Sequence, residues 1–121
     1  MERVRFVIHN QQQILLHDLS GCDSSEFVSA LKLGARMILA EPDRTHLVLV
    51  DVSGMSFGPE IIGAAKEYIE MSKDVVKAVA VVGLNGFQES MFTYAVSASR
   101  RQISAFRDHG QAKDWLLMQS G

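Results

Sequence analysis

The segment His46-Leu-Val-Leu-Val-Asp-Val-Ser-Gly-Met-Ser-Phe-Gly58 is the most informative part of this sequence. Its apolar run, Leu47 to Val50, is too short to cross a membrane and has the composition of a strand buried on both faces. A loop of small residues follows, and Pro59 suits the first position of a helix, where its missing N–H costs nothing. Open α/β folds bind ligands where a buried strand leads through such a loop into a helix. The segment therefore predicts an α/β fold and the position of a candidate site.

Two strands and a helix are predicted before this segment. Arg3 to Ile8 alternates as a half-buried strand does, and after a short turn a second strand covers Gln13 to Leu19, which predicts an antiparallel hairpin. Asp23 and Glu26 have the spacing of a helix capping box. The helix should stop near Ala40, because a proline two residues later disfavours further helix. Its apolar stripe comprises Phe27, Ala30, Leu31, Gly34 and Ile38.

Three helices alternate with two strands after the central segment. A helix starts near Pro59, a strand covers Lys77 to Gly83, and a short strand covers Gln102 to Phe106. Cap spacing recurs at the starts of the last two helices, in the pairs Asn85/Gln88 and Asp108/Gln111. The residues predicted to face inward are Ile61, Ala64, Ala65, Tyr68, Ile69, Phe87, Met91, Ala95, Ala98, Ala112, Trp115 and Leu116.

The predicted order of elements is β-β-α-β-α-β-α-β-α. Alternating strands and helices require parallel pairing with right-handed crossovers. We therefore expect a single α/β domain over residues 1–121, with a mixed, mostly parallel five-stranded sheet and four helices.

Composition narrows the class of protein. The chain has 121 residues, 47% of them apolar and 21% charged, which is typical of one globular domain. A formal net charge of −2 argues against nucleic-acid binding. The single cysteine excludes an internal disulfide, and no apolar run reaches the ~18 residues of a membrane span. Because the first residues do not resemble a signal peptide, we expect a cytoplasmic protein.

The motif from Leu47 to Phe57 resembles the strand and loop of STAS domains, the family shared by sulfate transporters and anti-sigma-factor antagonists. The second half of the chain is similar to a bacterial STAS-like (SpoIIAA-like) group, in the segments Lys77-Ala-Val-Ala-Val-Val-Gly83, Ile103-Ser-Ala-Phe106 and Ala112-Lys-Asp-Trp-Leu116. The resemblance covers nearly the whole chain and implies the STAS fold and a non-enzymatic binding or regulatory role.

One departure from the STAS pattern concerns phosphorylation. Antagonist members follow the Phe of this motif with one residue and then Asp-Ser-Ser/Thr-Gly-Leu, and they are phosphorylated on a hydroxyl there. In this chain Pro59 stands at the Asp position, and Glu60 and Ile61 stand at the two hydroxyl positions. Glu60 carries one negative charge, whereas a phosphate carries nearly two and has three acceptor oxygens. The resemblance therefore implies no phosphorylation switch at these positions.

The loops that follow three parallel strands should lie together at one edge of the sheet. They present small residues and helix N-termini, which suit an anionic group or the backbone of a partner. We expect either a protein partner or a small anionic or apolar ligand there, with no cofactor, and the sequence leaves a homo-oligomer open. The candidate binding residues are Ser20, Gly21, Asp51, Ser53, Gly54, Met55, Ser56, Phe57, Gly58, Glu60, Gly83, Asn85 and Gly86.

Two other functions compete with a binding module. The first is a small-molecule or lipid-binding protein with an apolar pocket. The second is a small hydrolase, because Gly54-Met-Ser-Phe-Gly58 matches G-x-S-x-G between a strand and a helix. Ser56 would be its nucleophile, Asp74 or Asp108 its acid and His109 its base. The short chain and the distance of Ser56 from the strand make the hydrolase the weakest of the three hypotheses.

Several single residues have a structural and a functional interpretation. Asp51 could bind a cation or an amine, but a carboxylate that accepts backbone N–H groups of its own loop is more common. Met55 and Phe57 could pack into the core or form an exposed contact. The four histidines lack the spacing of a metal site. Trp115, with Leu116 and Phe106, should close one end of the sheet against the first helix or a neighbouring one, and the burial of Trp115 should dominate this contact.

Overall fold

The computed structural model describes residues 3–43, 45–99 and 102–119, with the side chains of residues 91 and 94–99 outside that description. Five strands and four helices follow one another in the predicted order. They are β1 (Val4–His9), β2 (Gln12–Asp18), α1 (Ser24–Leu39), β3 (His46–Asp51), α2 (Pro59–Ser72), β4 (Val76–Val82), α3 (Gly86–Ser99), β5 (Ile103–Phe106) and α4 (His109–Gln119).

The strands form one sheet in the sequential order β1-β2-β3-β4-β5. β1 is antiparallel to β2, and each later neighbouring pair is parallel. The predicted mixed sheet is therefore confirmed. Leu47, Val48 and Leu49 are at most 3% exposed, which confirms that β3 is covered on both faces.

Local sequence fixes the ends of α1. Asp23 accepts the backbone N–H of Glu26 at 2.8 Å, and the Glu26 side chain accepts the backbone N–H of Asp23 at 3.1 Å, so the capping box is present. The helix ends at the cap residue Ala40, as Pro42 predicts. All five residues of its predicted apolar stripe are buried.

Helices α1 and α2 cover one face of the sheet, called here the α1/α2 face. Its core joins residues of both helices to alternate residues of the strands, among them Leu15, Val48, Phe27, Ile38 and Ile61. Polar side chains are buried on this face as well. His17 is 0% exposed, Tyr68 6% and Ser72 2%.

Helix α4 covers the opposite face, called here the α4 face. Ala112 and Leu116 are fully buried there against aliphatic residues of β2, β3 and β4. Trp115 only packs against the edge of this cluster, with its ring centroid 5.4 Å from that of Phe106. The prediction that Trp115 dominates this contact is therefore wrong, because Leu116 is the buried anchor. Of the two helices predicted to receive the contact, α1 is excluded, because α4 packs on the opposite face. The alternation of the strands gives each face its own apolar set, so α4 can bury its stripe without touching α1.

Helix α3 connects β4 to β5, and its start differs from the prediction. The Asn85/Gln88 cap is confirmed, with Asn85 Oδ1 accepting the Gln88 N–H at 2.8 Å. Phe87, however, is 75% exposed and does not face inward. Gln88 is the buried residue of that turn, because its side chain is hydrogen-bonded to the neighbouring loop. The remaining apolar positions predicted for α3, Met91, Ala95 and Ala98, have side chains outside the described part of the structure.

The predicted inward residues of α2 are confirmed in part. Ile61 and Tyr68 are buried, whereas Ala64 and Ala65 are only partly buried against the same core. Among the described residues, no helix has the length and apolar character needed to cross a membrane.

Candidate functional site

The loops that follow β2, β3 and β4 lie side by side at one edge of the sheet, called here the loop edge. Backbone hydrogen bonds continue past the strands. The Leu19 N–H donates to the Asp51 carbonyl at 2.8 Å, and the Gly21 N–H donates to the Ser53 carbonyl at 2.9 Å. The Val52 N–H donates to the Val82 carbonyl at 2.9 Å. The three loops are therefore held to one another as one connected surface.

Two of these loops repeat the same short motif. Asp18-Leu-Ser-Gly21 ends β2 and Asp51-Val-Ser-Gly54 ends β3, and the two aspartates are register partners in the parallel pair. In each motif one carboxylate oxygen accepts the serine hydroxyl at 2.6 Å and the backbone N–H of the same serine. Asp18 was not among the predicted site residues, although the repeated Asp-x-Ser-Gly pattern is visible in the sequence.

Glycine is required where these loops turn and touch. Gly21, Gly54 and Gly83 have φ of +68°, +74° and +97°, values that other residues rarely adopt. A Cβ on Gly83 would also collide with the backbone and hydroxyl of Ser53. The loop after β4 therefore lies directly against the loop after β3.

Asp51 has two partners. Its Oδ1 accepts from Ser53, which confirms the structural interpretation of this residue, and its Oδ2 accepts the His109 Nε2–H at 2.8 Å. Burial raises the pKa of the Asp51 carboxyl, but the hydrogen bonds from Ser53 and His109 outweigh burial and hold the pKa below its ordinary value. Sequence reasoning missed the Asp51–His109 pair, because 58 residues separate the two and only the fold brings them together.

The loop after β3 divides its side chains between the core and the surface. Met55 is 5% exposed and belongs to the α1/α2 core, so its side chain is not available to a partner. Its carbonyl accepts the buried Gln88 side-chain amide at 2.9 Å, which ties this loop to α3. Phe57 is half-buried, and Ser56 and Glu60 are exposed. The structure thus places the predicted residues together, except that the Met55 side chain points into the core.

The hydrolase hypothesis required His109 to contact Ser56 as its base, and Asp74 or Asp108 to orient that histidine as the acid. His109 instead donates to Asp51, and Asp108 accepts the backbone N–H of Gln111 at 2.8 Å as the cap of α4. Ser53 and His109 both donate to the Asp51 carboxylate. The carboxylate therefore lies between the Ser53 hydroxyl and the His109 imidazole. The described contacts therefore do not assemble a serine activated by a histidine.

A metal site, a reactive thiol and a groove are the other candidate features within residues 3–43, 45–99 and 102–119. No group of three or more His, Cys, Asp or Glu side chains there could hold a metal ion. Cys22 is buried, and burial raises the pKa of its thiol, which disfavours a reactive thiolate. A groove of about 510 Å³ adjoins the loop edge, and both apolar and polar residues line it: Gly83, Leu84, Glu89, Ala105, Phe106, Arg107 and Gln111.

Comparison with solved structures supports the fold. The chain is similar to a structure described as an anti-sigma-factor antagonist (STAS) domain protein from Planctomyces limnophilus, with a TM-score of 0.52 and 13% sequence identity over 98% of both chains. No protein-family model and no curated protein matches the sequence. The fold is that of STAS domains, as the resemblance of the central motif implies.

Proposed function

We propose that this protein is a non-enzymatic binding module that recognises a protein partner through its loop edge. The observation that carries the proposal is the direct hydrogen bonding of the three loops after β2, β3 and β4, which gives one connected surface. Such a surface loses little conformational entropy on binding, because its backbone is already ordered.

The side chains on this surface support recognition of a protein. Ser56 and Glu60 are exposed beside the half-buried Phe57, and Phe87 is 75% exposed at the start of α3. Aromatic side chains with polar neighbours are common at protein interfaces. The similarity in fold to an anti-sigma-factor antagonist domain favours a regulatory role of the same kind.

The proposed module works without phosphorylation at the positions where the antagonists carry hydroxyls. Glu60 and Ile61 occupy these positions, and Ile61 is buried in the core. Ser53 is hydrogen-bonded to Asp51, and a phosphate there would be repelled by that carboxylate. A phosphate mapped to Ser53 or Ser56 in protein from its host, together with altered partner binding, would contradict this part of the proposal.

Partner capture from the native host with matched surface variants tests the proposal. Phe87→Asp changes an exposed side chain at the loop edge, and Ile8→Asp changes one that is 68% exposed in β1. A partner that binds the loop edge should lose at least ~10-fold in affinity, measured with the purified partner, for Phe87→Asp and little for Ile8→Asp. Equal losses, or a loss for Ile8→Asp alone, would place the binding surface elsewhere. A lipid that copurifies with the protein and is seen in native mass spectrometry would favour the lipid-binding alternative.

A further inference from the structure

A histidine and a tyrosine are enclosed together between the sheet and the α1/α2 layer. His17 lies in β2 and is 0% exposed, and Tyr68 lies in α2 and is 6% exposed. The Tyr68 hydroxyl is 3.1 Å from His17 Nε2, and the two rings meet edge to face with centroids 5.4 Å apart. This contact joins residues 51 positions apart and attaches α2 to the sheet.

Helix α1 also borders this site. A Cβ built on Gly34 would fall on His17 Nε2, so the imidazole occupies the space that any other residue at position 34 would need. The α1 stripe therefore contains a glycine at this point in spite of its cost of about 1 kcal/mol relative to Ala in a helix. His17 thus contacts both helices of the α1/α2 layer.

The site suits a neutral imidazole and opposes an imidazolium. Within the described part of the chain, His17 Nδ1 makes no hydrogen bond of ordinary geometry, and Nε2 is partnered by the Tyr68 hydroxyl. An imidazolium has two N–H donors and a full charge, so protonation would place a charge in the core without a counter-ion and with only partial hydrogen bonding from the backbone of Leu49 and Leu15.

Among residues 3–43, 45–99 and 102–119, no ionised group compensates for this burial. Val4 of β1 and Val50 of β3 flank His17 in register, and α1 contributes Gly34. Tyr68 is the titratable group that α2 places against the imidazole, and burial raises the pKa of its phenol, which stays neutral. Burial lowers the pKa of His17 to about 4, and the backbone of Leu49 and Leu15 only partly offsets this effect.

We propose that the His17–Tyr68 pair is an acid-sensitive latch: protonation of His17 releases the α1/α2 layer from the sheet while α4 stays packed on the other face. The asymmetry follows from the composition of the two faces. The buried members of the α4 core are all aliphatic, so protonation has no direct effect on them: Ile14, Leu16, Leu47, Leu49, Ala78, Ala80, Val82, Ala112 and Leu116.

The direction of the pH effect follows from linkage. The packed layer holds His17 neutral, whereas in an opened layer the imidazole returns to its ordinary pKa of 6.5. The latch is therefore fully effective above that pKa and weakens as the pH falls toward the folded value. Between about pH 7.5 and about pH 4.5 the equilibrium constant for opening should rise roughly 70-fold from this group alone.

Hydrogen exchange of the full chain at these two pH values, corrected for the intrinsic exchange rates, tests the proposal. In the wild type, opening of α1 and α2 should increase by roughly 70-fold, while α4 changes much less. The fluorescence of Trp115, the single tryptophan, reports independently on the α4 face and should stay constant.

Three variants isolate His17. His17→Gln removes the titrating group but can still bond the phenol, and the double variant His17→Leu/Tyr68→Phe replaces both partners with apolar groups. Both should abolish the selective acid opening of the α1/α2 layer. His46→Gln is the matched control, because His46 is 5% exposed in β3 and bonds the Glu41 carbonyl at 3.3 Å. It should respond to acid as the wild type does.

Each alternative result overturns the proposal. The acid opening of the α1/α2 layer could persist unchanged in both His17 variants, or it could be lost in His46→Gln. Alternatively, α4 could open in parallel with α1 and α2. If both His17 variants fail to fold, an NMR titration of the wild-type imidazole decides. A midpoint near the ordinary pKa of 6.5 would contradict the latch, and a midpoint near 4 would support it.

Discussion

The two faces of the sheet are stabilised by different chemistry. The α1/α2 face buries His17, Tyr68 and Ser72 among its apolar residues, whereas the buried members of the α4 core are aliphatic. Apolar packing tolerates changes of pH but is sensitive to lost volume. A buried polar pair is sensitive to shape and to protonation as well. We therefore expect the two layers of this sheet to fail under different conditions, and the following predictions test this expectation.

The largest effect is expected on the α4 face, from Leu116→Ala. Leu116 is fully buried, and its truncation should cost about 2–5 kcal/mol in the free energy of unfolding. Denaturant titration measures this loss. Met118→Ala is the control in the same helix, because Met118 is 77% exposed and its truncation should change stability by less than about 0.5 kcal/mol. Similar losses for both variants would mean that α4 is not anchored through Leu116.

Gly34→Ala tests the shape of the α1/α2 face. The new methyl group would collide with the enclosed imidazole of His17, and the variant should lose about 1–3 kcal/mol despite the better helix propensity of Ala. Gly63→Ala in α2 is the matched control, because nothing lies within 4 Å of its added Cβ. The control should gain up to about 1 kcal/mol. A gain in thermal stability for both variants would show that the space between Gly34 and His17 accommodates a methyl group.

Asp51→Asn tests the junction between the loop edge and the α4 face. The Asp51 carboxylate bonds both Ser53 and His109, whereas the hydrogen bonds described for the Asp18 carboxylate go to Ser20 alone. The loss in unfolding free energy should be about 1–3 kcal/mol for Asp51→Asn and smaller for Asp18→Asn. Because the folded pKa of Asp51 is lowered, its contribution is present above the ordinary value of 3.8 and is lost as the pH falls below it. The difference between wild type and Asp51→Asn should therefore shrink in acid, and a difference that grows would contradict the assignment.

Trp115→Ala should have the smallest effect of the four. Trp115 is only half-buried, and its ring pairs with Phe106 at the margin of the α4 core. We expect a loss of about 1–2 kcal/mol, well below that of Leu116→Ala. The emission of Trp115 should be partly quenched by iodide. Complete protection from iodide, or a loss as large as that of Leu116→Ala, would restore Trp115 as the main anchor of α4.

The misassigned residues share a physical origin. Periodicity placed Phe87 and Trp115 on apolar faces, because it records spacing and residue type but not the depth at which a helix sits. Phe87 occupies the first turn of α3, where Gln88 is buried instead through its hydrogen bond to the Met55 carbonyl. A hydrogen bond between residues 33 apart has no signature in the helical period.

The sequence predicts the position of the candidate site but not the contacts between its residues. The small-residue loop after β3 and the Asp-x-Ser-Gly pattern are local features, so the position of the loop edge follows from the sequence. Two contacts depend on the order of strands in the sheet: the hydrogen bond between Asp51 and His109, and the contact of Gly83 with Ser53. These pairs form because parallel strands bring distant loops to one edge.

Strand alternation, helix caps and apolar stripes are encoded within a few residues of sequence. These local patterns predicted the order of elements, the mixed sheet, the capping box of α1 and the burial of β3. The division of the core into two chemically different faces could not. In the sequence, His17 is one residue of an apolar strand, and Tyr68 belongs to the apolar stripe of a helix. Only the packing of α1 and α2 on β2 encloses the two together, because burial and the loss of solvent around an imidazole are properties of the assembled layers.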